Sequence, residues 1–226
     1  MTAPVLTYSY DWSVIPRSIA FFERGLSVTV RIALFSVVFS LALGLVVALV
    51  RMAPGPLGVI GFVYIQVFRA LSLYVYILFI YFGVAAAIGL NLDPIPAGVV
   101  SLTLLNSAYM AEIYRAAIQA IDPGQREAAR SLGLGGVQTF ATVVFPQAWR
   151  IAIPSLVNQF TDIIKDSSVV ALIGAPDLMY QTIERVSFYQ RPFEFYTTVA
   201  GIYLVMVVIV AQLARRLERR LQRHLV

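Results

Sequence analysis

Between Leu26 and Val50 the chain reads LSVTVRIALFSVVFSLALGLVVALV, an apolar run interrupted by a single charge at Arg31. A helix crossing the ~30 Å hydrocarbon slab of a bilayer needs ~20 mainly apolar residues, and this run meets that length. It ends at Arg51, and Met52-Ala53-Pro54-Gly55-Pro56 then forces a turn. Further apolar runs follow: Leu57 to Ile88, broken by Gln66 and Arg69; Ala97 to about Ala117; Ile151 to Gly174, unusually polar inside; and Phe195 to Leu213. The expectation is an all-α polytopic membrane protein of about five transmembrane helices. They run over roughly 26–50, 57–88, 97–117, 151–174 and 195–213, within one domain covering 1–226.

Composition agrees with that reading. The 226 residues are 59% hydrophobic and 13% charged, with mean hydropathy +0.80, against about 45–50% apolar and about 25% charged in soluble domains. With no cysteine and one histidine, His224, there is no disulfide frame, thiolate zinc site or H-E-x-x-H helix. The one lysine, Lys165, follows Ile164 rather than glycine, so the chain has no phosphate loop and nucleotide energy must come from another subunit. The net charge of +5 lies mostly in arginines at the ends of apolar runs, which fits membrane topology rather than nucleic acid.

Loop arginines set the expected orientation. Arg51, Arg115, Arg126, Arg130, Arg150 and the tail Arg215, Arg216, Arg219, Arg220 and Arg223 would share one side, against Arg17, Arg24, Arg185 and Arg191 on the other. That predicts an outside N-terminus and a cytoplasmic C-terminus. Met1 to Phe22, with Pro4, Asp11, Trp12 and Pro16 and no basic start, argues against a cleaved signal peptide.

Within the polar stretch of roughly 118–150, Asp122-Pro123-Gly124-Gln125-Arg126-Glu127-Ala128-Ala129-Arg130-Ser131-Leu132-Gly133 reads as one short helix. Asp122 is its N-cap, Pro123 its first residue, Gln125 the partner in a capping-box-like pair and Gly133 the stop. It is too short and too charged to cross a bilayer, and Ala128 and Ala129 leave a smooth patch for another protein to approach.

These residues resemble a family. Glu127-Ala128-Ala129, then Gly133, then Val143-Val144-Phe145-Pro146 is similar to the EAA loop of ABC importer permeases, EAA-x3-G-x9-I-x-L-P, with Val143 and Phe145 as conservative departures. Ala111-Glu112-Ile113-Tyr114-Arg115, Ile118-Gln119-Ala120-Ile121, Phe145-Pro146-Gln147-Ala148 and Lys165-Asp166-Ser167-Ser168 resemble the polar amino acid subgroup. The resemblance implies that Glu127, Ala128, Ala129 and Gly133 form a coupling helix docked on a cytoplasmic ABC ATPase dimer, which holds ATP and Mg. It further implies a second permease chain, identical or paralogous, and an extracytoplasmic solute-binding protein. A small polar amino acid or related zwitterion would cross the bacterial cytoplasmic membrane by alternating access.

Charges inside spans are costly and mark function or pairing. Asn158, Asp162, Lys165 and Asp166, at i, i+4, i+7 and i+8, share one face of the fourth span. Two readings stand for that face: an ion pair of Lys165 with Asp162 or Asp166, or groups lining the solute pathway. Asp162, extra to the subgroup's K-D-[ST]-S element, would suit a substrate ammonium or guanidinium. Arg69-Ala70-Leu71-Ser72-Leu73 stands where the family shows R-G-T-P-L; Arg69 would meet either a substrate carboxylate or a helix-end carbonyl or acidic partner. Glu112 is expected to pair with Arg115. The aromatics Phe68, Tyr74, Tyr76, Phe79, Tyr81 and Phe82 fit packing and interfacial belts. Gly44, Gly58, Gly61 and Gly83 permit close helix contacts. The rival reading is a self-contained ion-coupled secondary transporter or an intramembrane enzyme using the same charges, although no internal repeat of the transporter kind is present.

Overall fold

A computed structural model describes residues 8–222; Pro4 near the start and Arg223 and His224 in the tail lie outside them. The architecture is helical. α1 spans Ile19–Met52, preceded by a single turn at Val14–Arg17, and ends where Pro54 and Gly55, at φ 74°, break the helix. In α1, Arg31 and Arg51 stand twenty residues apart, ~30 Å along the axis, which matches the hydrocarbon thickness.

The run 57–88, expected as one span, is a bent pair. α2 covers Pro56–Ala70 and α3 covers Leu73–Leu78, continuing as a π-helix over Phe79–Val84. Leu71 and Ser72 are extended at ψ 140° and 131°, and the helices on either side turn by 106°. Neither glycine nor proline causes the break. Irregular backbone at membrane depth is tolerated where it lines a cavity, and Leu71 and Leu73 do line one.

α4, Pro94–Gln119, opens on proline and is long enough to cross. It packs against α1, α2 and the helix α6, Phe145–Asp166. Being walled by protein rather than lipid, it buries Ser101, Thr103, Asn106 and Ser107. Among the described residues Ile19–Met52, Gly136–Ile173 and Pro192–Arg216 are the helices that are both long and apolar enough to span, with the bent pair as a fourth. α5 is Pro123–Ser131. The helical path into α6 begins at Gly136 through a π-helical turn, Phe140–Val144, and leaves as a 3-10 helix, Ser167–Ile173. Val143-Val144-Phe145-Pro146 thus lies within helical backbone, and the helix that carries the expected 151–174 span begins before Ile151. α7, Leu178–Tyr189, precedes α8, Pro192–Gln222.

Small residues close these contacts. A Cβ on Gly44 would fall 2.8 Å from the Met110 Cβ and 3.0 Å from the Ser107 carbonyl, so α1 and α4 meet backbone to backbone there. Gly61 does the same against Arg51, at 2.7 Å from its nitrogen, folding α2 back on the end of α1. Gly83 meets only Phe79 of its own helix. At the opposite end Val14, Phe22, Leu178, Phe195 and Val199 form a separate cluster. Asp177, fully buried, caps α7 by accepting from the Tyr180 N–H at 2.8 Å. Buried Glu194 accepts from the Tyr8 hydroxyl and, at 2.7 Å, from the Asp11 N–H, clasping the N-terminal segment to α8.

Overpacking a filled contact costs about 1–3 kcal/mol. Gly44→Val is accordingly expected to lower the thermal unfolding midpoint of the purified chain, whereas Gly201→Ala, with nothing within 4 Å of an added Cβ, leaves it unchanged.

Candidate functional site

α5 forms as its sequence suggests at both ends, with one difference. The Asp122 Oδ1 accepts from the Gly124 N–H at 2.6 Å. Gln125 offers its own backbone N–H to the Asp122 carbonyl at 3.0 Å, so the cap closes one residue early and no capping box forms with Gln125. At the other end Gly133 adopts φ 80°. The Gly133 N–H bonds the Arg130 carbonyl at 2.9 Å and the Leu134 N–H bonds the Ala129 carbonyl at 3.2 Å, the paired bonds of a Schellman stop.

The two alanines of the motif differ in exposure. Ala129 is 3% exposed and seats α5 on its own chain, while Glu127 and Ala128 face out. Ala129 is therefore not part of an outward smooth patch. The outward apolar surface comes instead from Ala128 with Leu132 and Val137, exposed by 83% and 84%. Both were visible in sequence as lone apolar residues among glycines and polar groups, although no motif drew attention to them.

Arg69 and the charged face of α6 line two neighbouring cavities, both of which reach Tyr109 of α4. Arg69, Tyr109, Glu112, Ser155 and Gln159 line a cavity of about 440 Å³. A second, of about 430 Å³, is lined by Leu71, Tyr109, Gln159, Asp162, Lys165 and Asp166. Tyr109 and Gln159 belong to both, so they form the partition between the two spaces.

Each polar group has an identifiable role. The Arg69 guanidinium carbon lies 5.2 Å from the Tyr109 ring centroid, a cation–π geometry, and takes neither an acidic partner nor a helix-end carbonyl among the described residues. Lys165 pairs with Asp162 at 2.7 Å. Asp166 lines the same cavity and has no partner among the described residues. Gln159 is aimed by a 2.7 Å bond from its Nε2 to the Asn106 Oδ1, and Asn106 is itself held by donating to the Leu102 carbonyl at 2.8 Å. Glu112 pairs with Arg115 at 2.6 Å, as expected.

Asn158 stands apart. It is exposed and lines neither cavity, whereas Ser155, Gln159, Asp162 and Asp166 each line one or both. Those positions follow the i, i+4, i+7, i+11 spacing of one helix face, whereas Asn158 is a ~100° step round from Gln159. Gln159, Tyr109 and Ser155 were absent from the sequence-based site. The continuation of the Asp162–Asp166 stripe by a turn towards the N-terminus was the signal for Gln159 and Ser155. Tyr109 carries no such mark. Of the aromatics, Tyr76 is buried at 3% and packs edge-on against Phe68, while Tyr74, Phe79 and Phe82 face outward, in keeping with packing and membrane contact.

Comparison with known proteins places this geometry. Residues 40–223 match the family described as binding-protein-dependent transport system inner membrane component. The chain is 34% identical to the glutamine transport system permease protein GlnP of Escherichia coli (strain K12), over 94% of its own length and 98% of the relative's. It is 35% identical to the arginine transport system permease protein ArtQ of Bacillus subtilis (strain 168), over 94% and 97%. A crystal structure of an amino acid ABC transporter with histidines superposes with TM-score 0.87 at 37% identity, covering 94% of this chain and 100% of that one. The inward-facing MetNI methionine ABC transporter shares the fold at TM-score 0.79 and 19% identity. These whole-length matches set aside the self-contained transporter and the intramembrane enzyme. Motif, fold and similarity agree that this multi-pass membrane chain belongs to the binding-protein-dependent transport system inner membrane component family, as a permease subunit of the polar amino acid ABC transporters.

Proposed function

We propose that this chain is one transmembrane permease domain, 1–226, of an importer that carries a net-neutral, zwitterionic amino acid with a polar side chain. The observation that carries the reading is that Arg69 and Asp166, neither of them ion-paired among the described residues, line adjoining cavities that share Tyr109 and Gln159. Arg69 offers bidentate donors to an α-carboxylate, and Asp166 offers a carboxylate to the ammonium. Asp162, first considered for that second role, is neutralised by Lys165. Glu112 is neutralised by Arg115, so among the described residues the two linings set Arg69 as cation against Asp166 as anion. Such a field suits a glutamine-like solute better than an arginine-like one, and relatives named for each are among the similar proteins.

In this reading α5, with Glu127, Ala128 and Leu132 outward and Gly133 ending it, rests on a cytoplasmic ABC ATPase dimer that holds ATP and Mg. Ala129 is the residue that seats the helix. A second permease chain completes the pathway, and a solute-binding protein delivers substrate to the outer side. The loop arginines support a bacterial inner membrane placement with the N-terminus outside and the C-terminus cytoplasmic.

Reconstitution with its neighbouring ATPase and binding protein tests the reading. Glu127→Lys is expected to release the ATPase or to leave hydrolysis unresponsive to substrate; solute moving under an ion gradient without ATP would overturn the importer assignment. Asp166→Asn is expected to cut uptake at least ten-fold, beyond the effect of Asp162→Asn, and equal uptake by the two variants would sink the zwitterion assignment. Because the chain has no native cysteine, the cavity can also be mapped directly. Gln159→Cys and Asp162→Cys should react with a charged, water-soluble thiol reagent, while Ile163→Cys, at a position 0% exposed, should not.

A further inference from the structure

Arg126 sits within α5 but does not share the outward direction of Glu127 and Arg130. It is half-buried, and its Nη2 donates to the Ile118 carbonyl at 3.0 Å. Its Nε is enclosed without a partner. Ile118 belongs to the last turn of α4, where carbonyls have no intrahelical donor and the negative end of the helix dipole gathers. A guanidinium is therefore matched to that helix end in both hydrogen bonding and charge.

Between α4 and α5 lie only Ala120, Ile121 and Asp122. A connection of that length holds two helices near one another but leaves them free to swivel. The Arg126 bond makes a second attachment between the two helices besides the connection itself, and Ile121 within the connection is buried. α4 then continues directly to the cavity. Ala116, Glu112 and Tyr109 all line it, and Tyr109 is nine residues, ~14 Å, from Ile118 along the same helix.

The geometry points to Arg126 as a positioning residue that locks α5 to α4, so that displacement of α5 reaches Tyr109 and Glu112 instead of being absorbed at Ala120–Asp122. This rests on the reading of α5 as the ATPase-facing helix. Arg126 touches neither solute nor nucleotide; it sets how much of the ATPase stroke arrives at the cavity wall.

The test uses the complete reconstituted transporter, comparing wild type, Arg126→Ala and Arg126→Lys for ATPase co-purification, ATP hydrolysis and uptake of radiolabelled glutamine. The expected result for Arg126→Ala is a fully assembled complex whose hydrolysis stays within two-fold of wild type while glutamine moved per ATP falls at least five-fold. Arg126→Lys, which can still donate to the Ile118 carbonyl, should recover part of that ratio. A spin label on Gln125→Cys should become more mobile when Arg126→Ala is added. An unchanged ratio, a parallel fall of uptake and hydrolysis, or loss of the assembled complex would each overturn the proposal, the last two by showing a purely structural role. A wild-type chain that fails to retain an ATPase would instead overturn the underlying assignment of α5, so the two failures are distinguishable.

Discussion

Inside a bilayer no water is available to satisfy an open peptide group, so every departure from continuous helix has to be enclosed by protein or face a wet cavity. That constraint organises this molecule. The break at Leu71 and Ser72 lies at the wall of the cavity that Asp162, Lys165 and Asp166 also line. The exposed backbone and the intramembrane charges occupy the same place because one polar environment serves both.

The same economy governs side chains. α4 is surrounded by its neighbours and can carry serines, a threonine and an asparagine that would be expensive against lipid. Ser40 donates to the Thr103 carbonyl at 3.3 Å, and the Tyr64 hydroxyl donates to the Leu104 carbonyl at 3.0 Å, so these groups stitch α1 and α2 to the central helix. Close approach at Gly44 and Gly61 makes such short bonds feasible. The outcome is a closely packed α1–α2–α4 unit with a cavity along one flank and α5 attached to its end.

That arrangement connects two sites far apart in sequence. α4 runs from the cavity to the connection with α5, and the Schellman turn at Gly133 fixes where α5 stops. Ala129 faces inward and Ala128 outward, so adjacent alanines differ in what they do for the fold: one is buried and seats the helix, the other stays on its surface. Leu132 and Val137 add the apolar surface that a charged helix otherwise lacks.

Much of this was determined by sequence alone. Apolar runs longer than a bilayer is thick have few folded alternatives, arginines at their ends mark boundaries, and Asp122-Pro123 with Gly133 carries the local chemistry of a bounded helix. The Glu112–Arg115 pair was legible for the same reason, since i and i+3 groups on one helix are neighbours whatever surrounds them. Tertiary structure decided what depends on direction. Hydropathy cannot distinguish a straight 57–88 span from a bent pair, because it averages over the two extended residues that make the bend. Local spacing left Lys165 with two carboxylates in reach, and packing assigned it Asp162. Asn158 and Gln159 are adjacent in sequence yet a ~100° turn apart, and only the neighbouring helices determine which of them faces the cavity. Tyr109 and Arg126 carried no sequence signal because their roles lie wholly in what they touch: an arginine on another helix and a carbonyl eight residues back, brought near by the fold.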